Sequence, residues 1–450
     1  MSKPDTMLRT ILVYVITFSL LRITQTPLYA QQLYFPPAGG ANWETASPED
    51  FGWCERKLTD LYDLLEENGT YSFLVLKNGR IVVEQYFNGH NALRQWVWFS
   101  AGKSLRAVLV GIAQEKGILD ITAPSSEYLG QGWTSLSVAD EARITVRDQL
   151  AMTSGLDEQF FACITPSCLR SGSELGAGSR WAYHNGPYNL LKDVLENASG
   201  TDINTLTDSY IEEEIGMSGG SWISNGNNTF YVSNARDMAR FGLLILNQGK
   251  WMEETVIHDS EYFNDMLNSS QQLNPSYGYL WWLNGKESHI RPNGLAFSGP
   301  MSRDAPEDLQ LAAGAQGQFI AISPSEQLVM IRQGQSEDPD LAALDIHNDI
   351  WELLSEIISG DDCEPLVTST TAFESKEIQV FPVPAKNRLT VKGLEDQDLT
   401  SLQLRTLSGK LLADSPTNKI DISEFADGVY FLQITTLSRQ VTRRIVKSEF

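Results

Sequence analysis

The chain has 450 residues, enough for two or three domains with a large core, and its 42% hydrophobic and 20% charged content is ordinary for a folded protein. Its formal net charge of −23 argues against nucleic acid or an anionic membrane as the main partner and says nothing about substrate. Four cysteines and five scattered histidines show no zinc-type spacing, so no metal is expected.

Residues 1–30 read as an export signal. Lys3 and Arg9 give a basic start, Ile11 to Leu21 is an apolar run too short to span a bilayer comfortably, and Ala30 offers a small residue for cleavage. The alternative is an N-terminal membrane anchor; Ala30 and the polar Gln31-Gln32 weigh against it. Export permits disulfides, and four cysteines allow three connectivities. The most economical joins Cys163 to Cys168 around Ile-Thr-Pro-Ser and Cys54 to Cys363 across the ends of the main domain.

Glu55 to Glu67 carries leucines at helical period. Tyr71 to Phe87 reads as a β-hairpin turning at Asn78-Gly79, the type I′ dipeptide. Val97 to Gly117 then holds a helix that is apolar nearly all round, which marks it as buried. Thr145 and Asp148 form a capping-box pair ahead of a short helix that stops near Gly155. Trp181 to Asn185 leads into a further helix, with Pro187 suited to its first turn. Ser233 to Asn247 is a capped amphipathic helix, and Tyr277 to Leu283 reads as a buried aromatic strand. Gly317–Pro324 and Gln327–Arg332 read as paired strands, and Asp345–Ile358 as a closing helix. Strands at both ends with helices between them imply one sheet built from distant segments, an α+β domain. Residues 359–377 are polar and read as a linker; 378–450 alternate short strands and turns, a small β-sandwich.

The buried helix opens with Ser100-Ala-Gly-Lys103. A serine hydroxyl is a weak nucleophile until a base removes its proton, and an amine one turn away on the same helix face is such a base once its pKa is lowered. The free N–H groups at the helix start favour a developing oxyanion. Alone, Ser-x-x-Lys is a weak motif, and Ser100 as a helix cap with Lys103 snorkelling to the surface is the structural reading of the same residues.

Further motifs follow in order: Thr153-Ser-Gly-Leu156, Tyr183-His184-Asn185 with Tyr188 and Leu190-Leu191 after it, and Ala235-Arg-Asp-Met-Ala-Arg-Phe-Gly242. With Phe99-Ser100-Ala-Gly-Lys103 they make residues 50–358 resemble the serine β-lactamase and penicillin-binding-protein superfamily, in particular class C β-lactamase-like esterases and 6-aminohexanoate-dimer hydrolases. The resemblance implies a β-lactamase/transpeptidase-like domain over 40–358, with an antiparallel sheet flanked by helices plus an all-helical region. It implies acyl transfer without a cofactor. Ser100 attacks a carbonyl, Lys103 and Tyr183 share the general base and acid roles, and Asn185 bonds Lys103 or the substrate. The family's third motif, Lys-Thr-Gly or His-x-Gly, aligns with Ala315-Gln316-Gly317, where only the glycine is kept. The lost cation argues against a penicillin-type substrate, while the backbone N–H near Ala315 is expected to join that of Ser100 as an oxyanion hole. His184 is expected to point away from the site. Trp98, Trp181, Trp281 and Trp282 are candidates for pocket walls, the last two with a core role as the default.

Gly216-Met-Ser218-Gly-Gly220 fits the Gly-x-Ser-x-Gly nucleophile elbow, but it lacks the preceding hydrophobic strand and following helix, so Ser218 is set aside. In the C-terminal module, Val380-Phe-Pro-Val-Pro-Ala385, Leu407-Ser-Gly-Lys410, Asp427-Gly-Val-Tyr430 and Arg443-Arg-Ile-Val-Lys447 resemble a type IX secretion C-terminal sorting domain. That resemblance implies export through the periplasm, by the type IX machinery, to the medium or the outer cell surface; a carbohydrate-binding β-sandwich is the alternative. The expectation is a monomeric serine hydrolase of a small or peptide-like ester or amide. The competing reading is an inactive relative that binds a peptide or cell-wall fragment, kept open by the missing third-motif cation.

Overall fold

The computed structural model describes residues 33–39, 42–160, 162–172, 175–338, 340–360, 363, 379–382, 385–392, 399–406, 410–436 and 440–448. The expected export signal and most of the expected linker lie outside the described residues. The chain divides into two compact units, the first ending at Cys363.

The first unit opens with α1 (Leu58–Glu67), whose Leu58, Leu61 and Leu65 form the buried stripe. β1 (Thr70–Lys77) and β2 (Arg80–Tyr86) follow as a hairpin, and Asn78 and Gly79 both have positive φ (51° and 79°), as a type I′ turn needs. Next come β3 (Trp96–Val97), α2 (Gly102–Glu115), α3 (Val146–Leu150) and α4 (Asn185–Ser199). A hairpin of β4 (Ser221–Asn225) and β5 (Asn228–Ser233) leads into α5 (Ala235–Leu246). The domain closes with β6 (Trp282–Leu283), β7 (Gln310–Gly314), β8 (Gln318–Ser323), β9 (Leu328–Gly334) and α6 (Leu344–Ser359).

The main sheet has the order β2-β1-β9-β8-β7-β6, antiparallel throughout. β1 pairs with β9, from Thr70 opposite Gly334 to Lys77 opposite Leu328, so the two ends of the domain meet in the middle of the sheet. β8 and β9 are buried along their whole length because helices cover both faces. On one face Val329 and Ile320 lie against Gly242 of α5. On the other, Phe319 meets His347 of α6 edge-on at 5.0 Å.

Three local differences from the sequence reading have physical causes. Tyr277–Leu283 is not one strand: Leu280 takes φ +60°, the chain folds back so that Tyr277 bridges Trp282, and only Trp282–Leu283 joins the sheet. The aromatic run is buried as a turn whose strained residue tertiary packing holds in place. The capping box of Thr145 and Asp148 is present, but its helix is a single short turn, Val146–Leu150. A separate sheet, β3-β5-β4, had no readable signal at β3, which is two residues long.

In the second unit β10 (Gln379–Phe381), β11 (Arg388–Lys392), β12 (Leu399–Arg405), β13 (Leu411–Ser415), β14 (Lys419–Asp421), β15 (Gly428–Thr436) and β16 (Gln440–Lys447) form two antiparallel sheets. Their orders are β10-β11-β14 and β13-β12-β15-β16. Leu389, Val391, Leu402, Leu404, Ile420, Leu432, Ile434 and Ile445 make its own core. The short strands β13 and β14 were not expected from the sequence: β13 buries none of its five residues and β14 is three residues long with only Ile420 buried, so neither shows a buried alternating face.

Candidate active site

Ser100 owes its position to the residues before it. The backbone N–H of Trp98 donates to the Tyr231 carbonyl at 2.8 Å, and its indole Nε1 donates to Ser233 Oγ at 2.9 Å. Phe99 then takes φ +47°, a conformation costing a bulky residue about 1–3 kcal/mol, and its ring is held against Phe230 at 5.4 Å. The small β3-β5-β4 sheet thus fixes a tight turn, Phe99–Ala101, and Ser100 emerges from it half-buried at the start of α2.

From the other side β7 approaches. A Cβ placed on Gly314 would fall 2.3 Å from the Trp98 carbonyl oxygen and 3.1 Å from the Ser100 nitrogen, so only glycine lets the strand touch this turn. Ala315 and Gln316 follow, half-buried, in the turn to β8. The carbonyls of Gln316 and Gly317 accept from Arg332 Nη1 at 3.0 and 2.7 Å. That guanidinium is fully buried and also donates to the Asn68 carbonyl and Thr70 Oγ1. Burial alone pushes its pKa down to about 9. Gly317 (φ +78°) leaves the room Arg332 needs: a Cβ there would lie 2.2 Å from Nη1. A cation therefore does underlie the third-motif turn, but from β9 beneath it.

Lys103 lies one turn beyond Ser100, and its Nζ donates to Ser100 Oγ at 2.9 Å. It is 2% exposed, and among the described residues no carboxylate pairs with it. Its Nζ sits 4.1 Å over the Tyr188 ring and 5.1 Å over the Tyr183 ring. Burial, and then the Arg106 charge one turn further along α2, hold the amine well below the usual lysine range. Arg106 is itself fully buried, donating to the Tyr188 carbonyl (3.3 Å) and Thr229 Oγ1 (3.1 Å) and lying 4.4 Å over the Tyr188 ring.

Tyr183 stands on the segment entering α4 and is 3% exposed. Burial pushes its hydroxyl pKa up, against the pull of a hydrogen bond with the Ser100 side chain. The phenol is therefore protonated at neutral pH. Its ring stacks on Trp282 at 6.0 Å and meets Tyr277 edge-on at 6.4 Å; Trp181 completes the cluster, 5.3 Å from Tyr277. Asn185 is buried at the first position of α4, and its Oδ1 has no hydrogen-bond partner among the described residues. His184 turns its ring toward Gly186, with burial lowering its pKa to about 4. Cys163 and Cys168 are joined beside this segment, the Cys163 carbonyl lying against Gly186, and Cys54 is joined to Cys363.

Of the four tryptophans, Trp181 and Trp282 border Tyr183. Trp98 and Trp281 pack inward against Phe241. Ser218 is structural: its hydroxyl donates to Asp237 and accepts from Asn234, the cap of α5. Arg106 is the residue sequence reading passed over, although a lone cation on an apolar helix three residues after Lys103 was a visible signal.

A mixed fold in which an antiparallel sheet brings β7 against a Ser-x-x-Lys helix is of the β-lactamase/transpeptidase type. Residues 64–349 match the family described as Beta-lactamase, and the chain belongs to that family of hydrolases. Residues 379–448 match the family described as secretion system C-terminal sorting domain, which indicates export. The 6-aminohexanoate-dimer hydrolase of Paenarthrobacter ureafaciens is 22% identical over 326 residues, covering 63% of this chain and 77% of that one. Among solved structures, a Bacillus anthracis protein provisionally assigned as a 6-aminohexanoate-dimer hydrolase superposes with TM-score 0.55 at 20% identity, over 73% of this chain and 90% of its own. A Bacteroides dorei protein provisionally assigned as a β-lactamase gives TM-score 0.54 at 14% identity, over 68% and 98%.

Proposed function

We propose that the protein is an exported serine hydrolase that cleaves an ester or amide through an acyl-enzyme on Ser100. The observation that carries this reading is the 2.9 Å contact between Ser100 Oγ and the Nζ of a buried lysine with no carboxylate partner among the described residues. Lys103 with a depressed pKa is neutral in the working enzyme and takes the Ser100 proton as Oγ bonds to the substrate carbonyl carbon. The Ser100 N–H, with the N–H near Ala315, receives the oxyanion. The carbonyl–heteroatom bond then breaks, and the proton passes from Lys103 through the protonated Tyr183 hydroxyl to the leaving group. Water, deprotonated along the same path, attacks the acyl carbon and regenerates Ser100. Asn185 Oδ1 is the acceptor for Lys103 or for a substrate N–H. The Paenarthrobacter ureafaciens relative is, by its name, a hydrolase of a 6-aminohexanoate dimer, and this supports hydrolase chemistry here. The C-terminal sorting domain supports export by the type IX secretion machinery.

The pH dependence tests the base. Lys103 must be neutral, so kcat/KM for a simple ester such as p-nitrophenyl butyrate rises tenfold per pH unit below its pKa and flattens well below pH 10.5. A rate still climbing steeply at pH 10 contradicts a lysine base with a depressed pKa.

A further inference from the structure

Arg106 is a buried cation that takes no part in the proton transfers. It is fully buried, and among the described residues no carboxylate pairs with it. The acids whose field reaches it, Asp193 and Glu196 of α4, are engaged with Lys192 at 3.4 and 2.5 Å. Its Nε has no hydrogen-bond partner among the described residues. A charge without a counter-ion is among the least favourable groups to bury, so its place calls for a reason.

The reason lies in what the guanidinium touches. Nη1 donates to the Tyr188 carbonyl of α4 at 3.3 Å, and Nη2 donates to Thr229 Oγ1 of β5 at 3.1 Å. Its Cζ lies 4.4 Å from the centre of the Tyr188 ring and 4.5 Å from that of Trp222 on β4. One side chain of α2 therefore joins α4 to the β4-β5 hairpin. Both carry parts of the site. The chain enters α4 through Tyr183 and Asn185, and β5 holds the turn before Ser100 through the Trp98 N–H and indole. Tyr188 follows Asn185 by one turn, so a carbonyl fixed at Tyr188 fixes where α4 begins.

The Tyr188 ring is shared. Lys103 Nζ lies 4.1 Å from its centre, and Lys103 and Arg106 are one turn apart on α2. Two unit charges crowded on one ring in a buried site repel. A guanidinium keeps its proton at any working pH, so the amine is the group that gives way. The other groups facing the amine, Ser100 and the phenols Tyr183 and Tyr188, are neutral at pH 7, burial having raised both phenols. Among the described residues Arg106 is the charge that acts on it.

We infer that Arg106 is a positioning residue of the Ser100 site. It seats the Tyr188 ring, and with it the Lys103 amine, against Ser100, and it ties α4 to the hairpin that holds the Ser100 turn. Through the same ring its charge keeps Lys103 in the neutral form that accepts a proton. The inference rests on the proposed Ser100 chemistry for its catalytic meaning.

Three full-length proteins test it: wild type, Arg106→Met and Thr229→Val. Methionine fills the space without a charge, and valine removes the Thr229 hydroxyl while leaving the guanidinium in place. The Lys103 pKa is read by NMR titration of protein carrying ε-13C lysine, with Lys103→Met to assign the resonance. The rate of Ser100 labelling by a fluorophosphonate is followed against pH. In Arg106→Met the Lys103 pKa and the midpoint of the labelling profile rise together by about 1–2 units, the scale of one neighbouring charge. The plateau rate falls about 10- to 100-fold, as for a displaced catalytic pair. In Thr229→Val the midpoint stays and the plateau falls about 10-fold. An unchanged Lys103 pKa in Arg106→Met overturns the role of the charge. A wild-type plateau in Thr229→Val overturns the tie, and a midpoint displaced there as far as in Arg106→Met reduces Arg106 to a structural residue. If Arg106→Met does not fold, Thr229→Val decides by the same two signs. If wild type is never labelled, the Ser100 reading is what fails, and the NMR titration alone decides whether Arg106 governs the amine.

Discussion

Lys103→Met lowers kcat/KM for an ester by about 10²–10⁴-fold, the usual worth of a positioned general base, while the melting temperature at neutral pH stays at or above that of wild type. Both halves follow from one environment. The amine is enclosed by the Tyr188 and Tyr183 rings, lies one turn from the Arg106 cation, and touches Ser100 as its hydrogen-bond partner. Methionine fills similar volume there and needs no solvation. The sign of the stability change can be checked against pH. Lys103 has a lower pKa folded than unfolded, so between the two values the unfolded chain binds the extra proton, and wild-type stability rises with pH across that window. The stability advantage of Lys103→Met is therefore greatest at low and neutral pH and shrinks toward pH 10.5. Thermal melts of both proteins across pH 6–10, with matched ester kinetics, measure it. A variant that melts well below wild type at neutral pH would show that the lysine is a favourable structural ion and not a strained base.

Loss of the bond between Cys54 and Cys363 produces the second large effect. These residues are 309 positions apart, so the bond closes a loop that includes nearly the whole hydrolase unit. Cross-linking so long a loop restricts the unfolded chain strongly, and removing such a bond costs about 2–5 kcal/mol. Other contacts tie the same ends: β1 pairs with β9, the Cys54 N–H donates to the Ile357 carbonyl at 2.8 Å, and Lys57 pairs with Glu356 at 3.1 Å. The double variant Cys54→Ser/Cys363→Ser therefore keeps its fold and its activity in dilute buffer but unfolds at clearly lower urea concentration. Cys163→Ser/Cys168→Ser, which opens a loop of only a few residues, shifts the midpoint less. Equal midpoints for the first variant and wild type would contradict this.

What was legible in the sequence were the features set by local chemistry. Asn78-Gly79 fixed a hairpin because few other dipeptides accept two left-handed residues in succession. The α2 helix was readable because an apolar circumference has no use except burial, and the Thr145–Asp148 box because capping is a contact within one turn. What was not legible depends on distant partners. Nothing local to Tyr277–Leu283 says that Leu280 turns backward; the cluster of Tyr183, Trp181 and Trp282 decides it. The third motif was aligned by the strands that follow it, which drew attention to Ala315-Gln316-Gly317. The residue against Ser100 is Gly314, and the cation under the turn, Arg332, comes from β9, opposite Phe319 in the register and 15 residues beyond Gly317 in sequence. Both the close approach and the buried cation are products of strand pairing, which no window of sequence displays.

The central claim is that Ser100 is an activated nucleophile. Intact-mass spectrometry of the full chain after treatment with a fluorophosphonate, beside Ser100→Ala, tests it most directly. The account predicts one adduct on wild type, mapped to Ser100, and none on the variant. Equal labelling of the two proteins, or an adduct mapped to another serine, would contradict it.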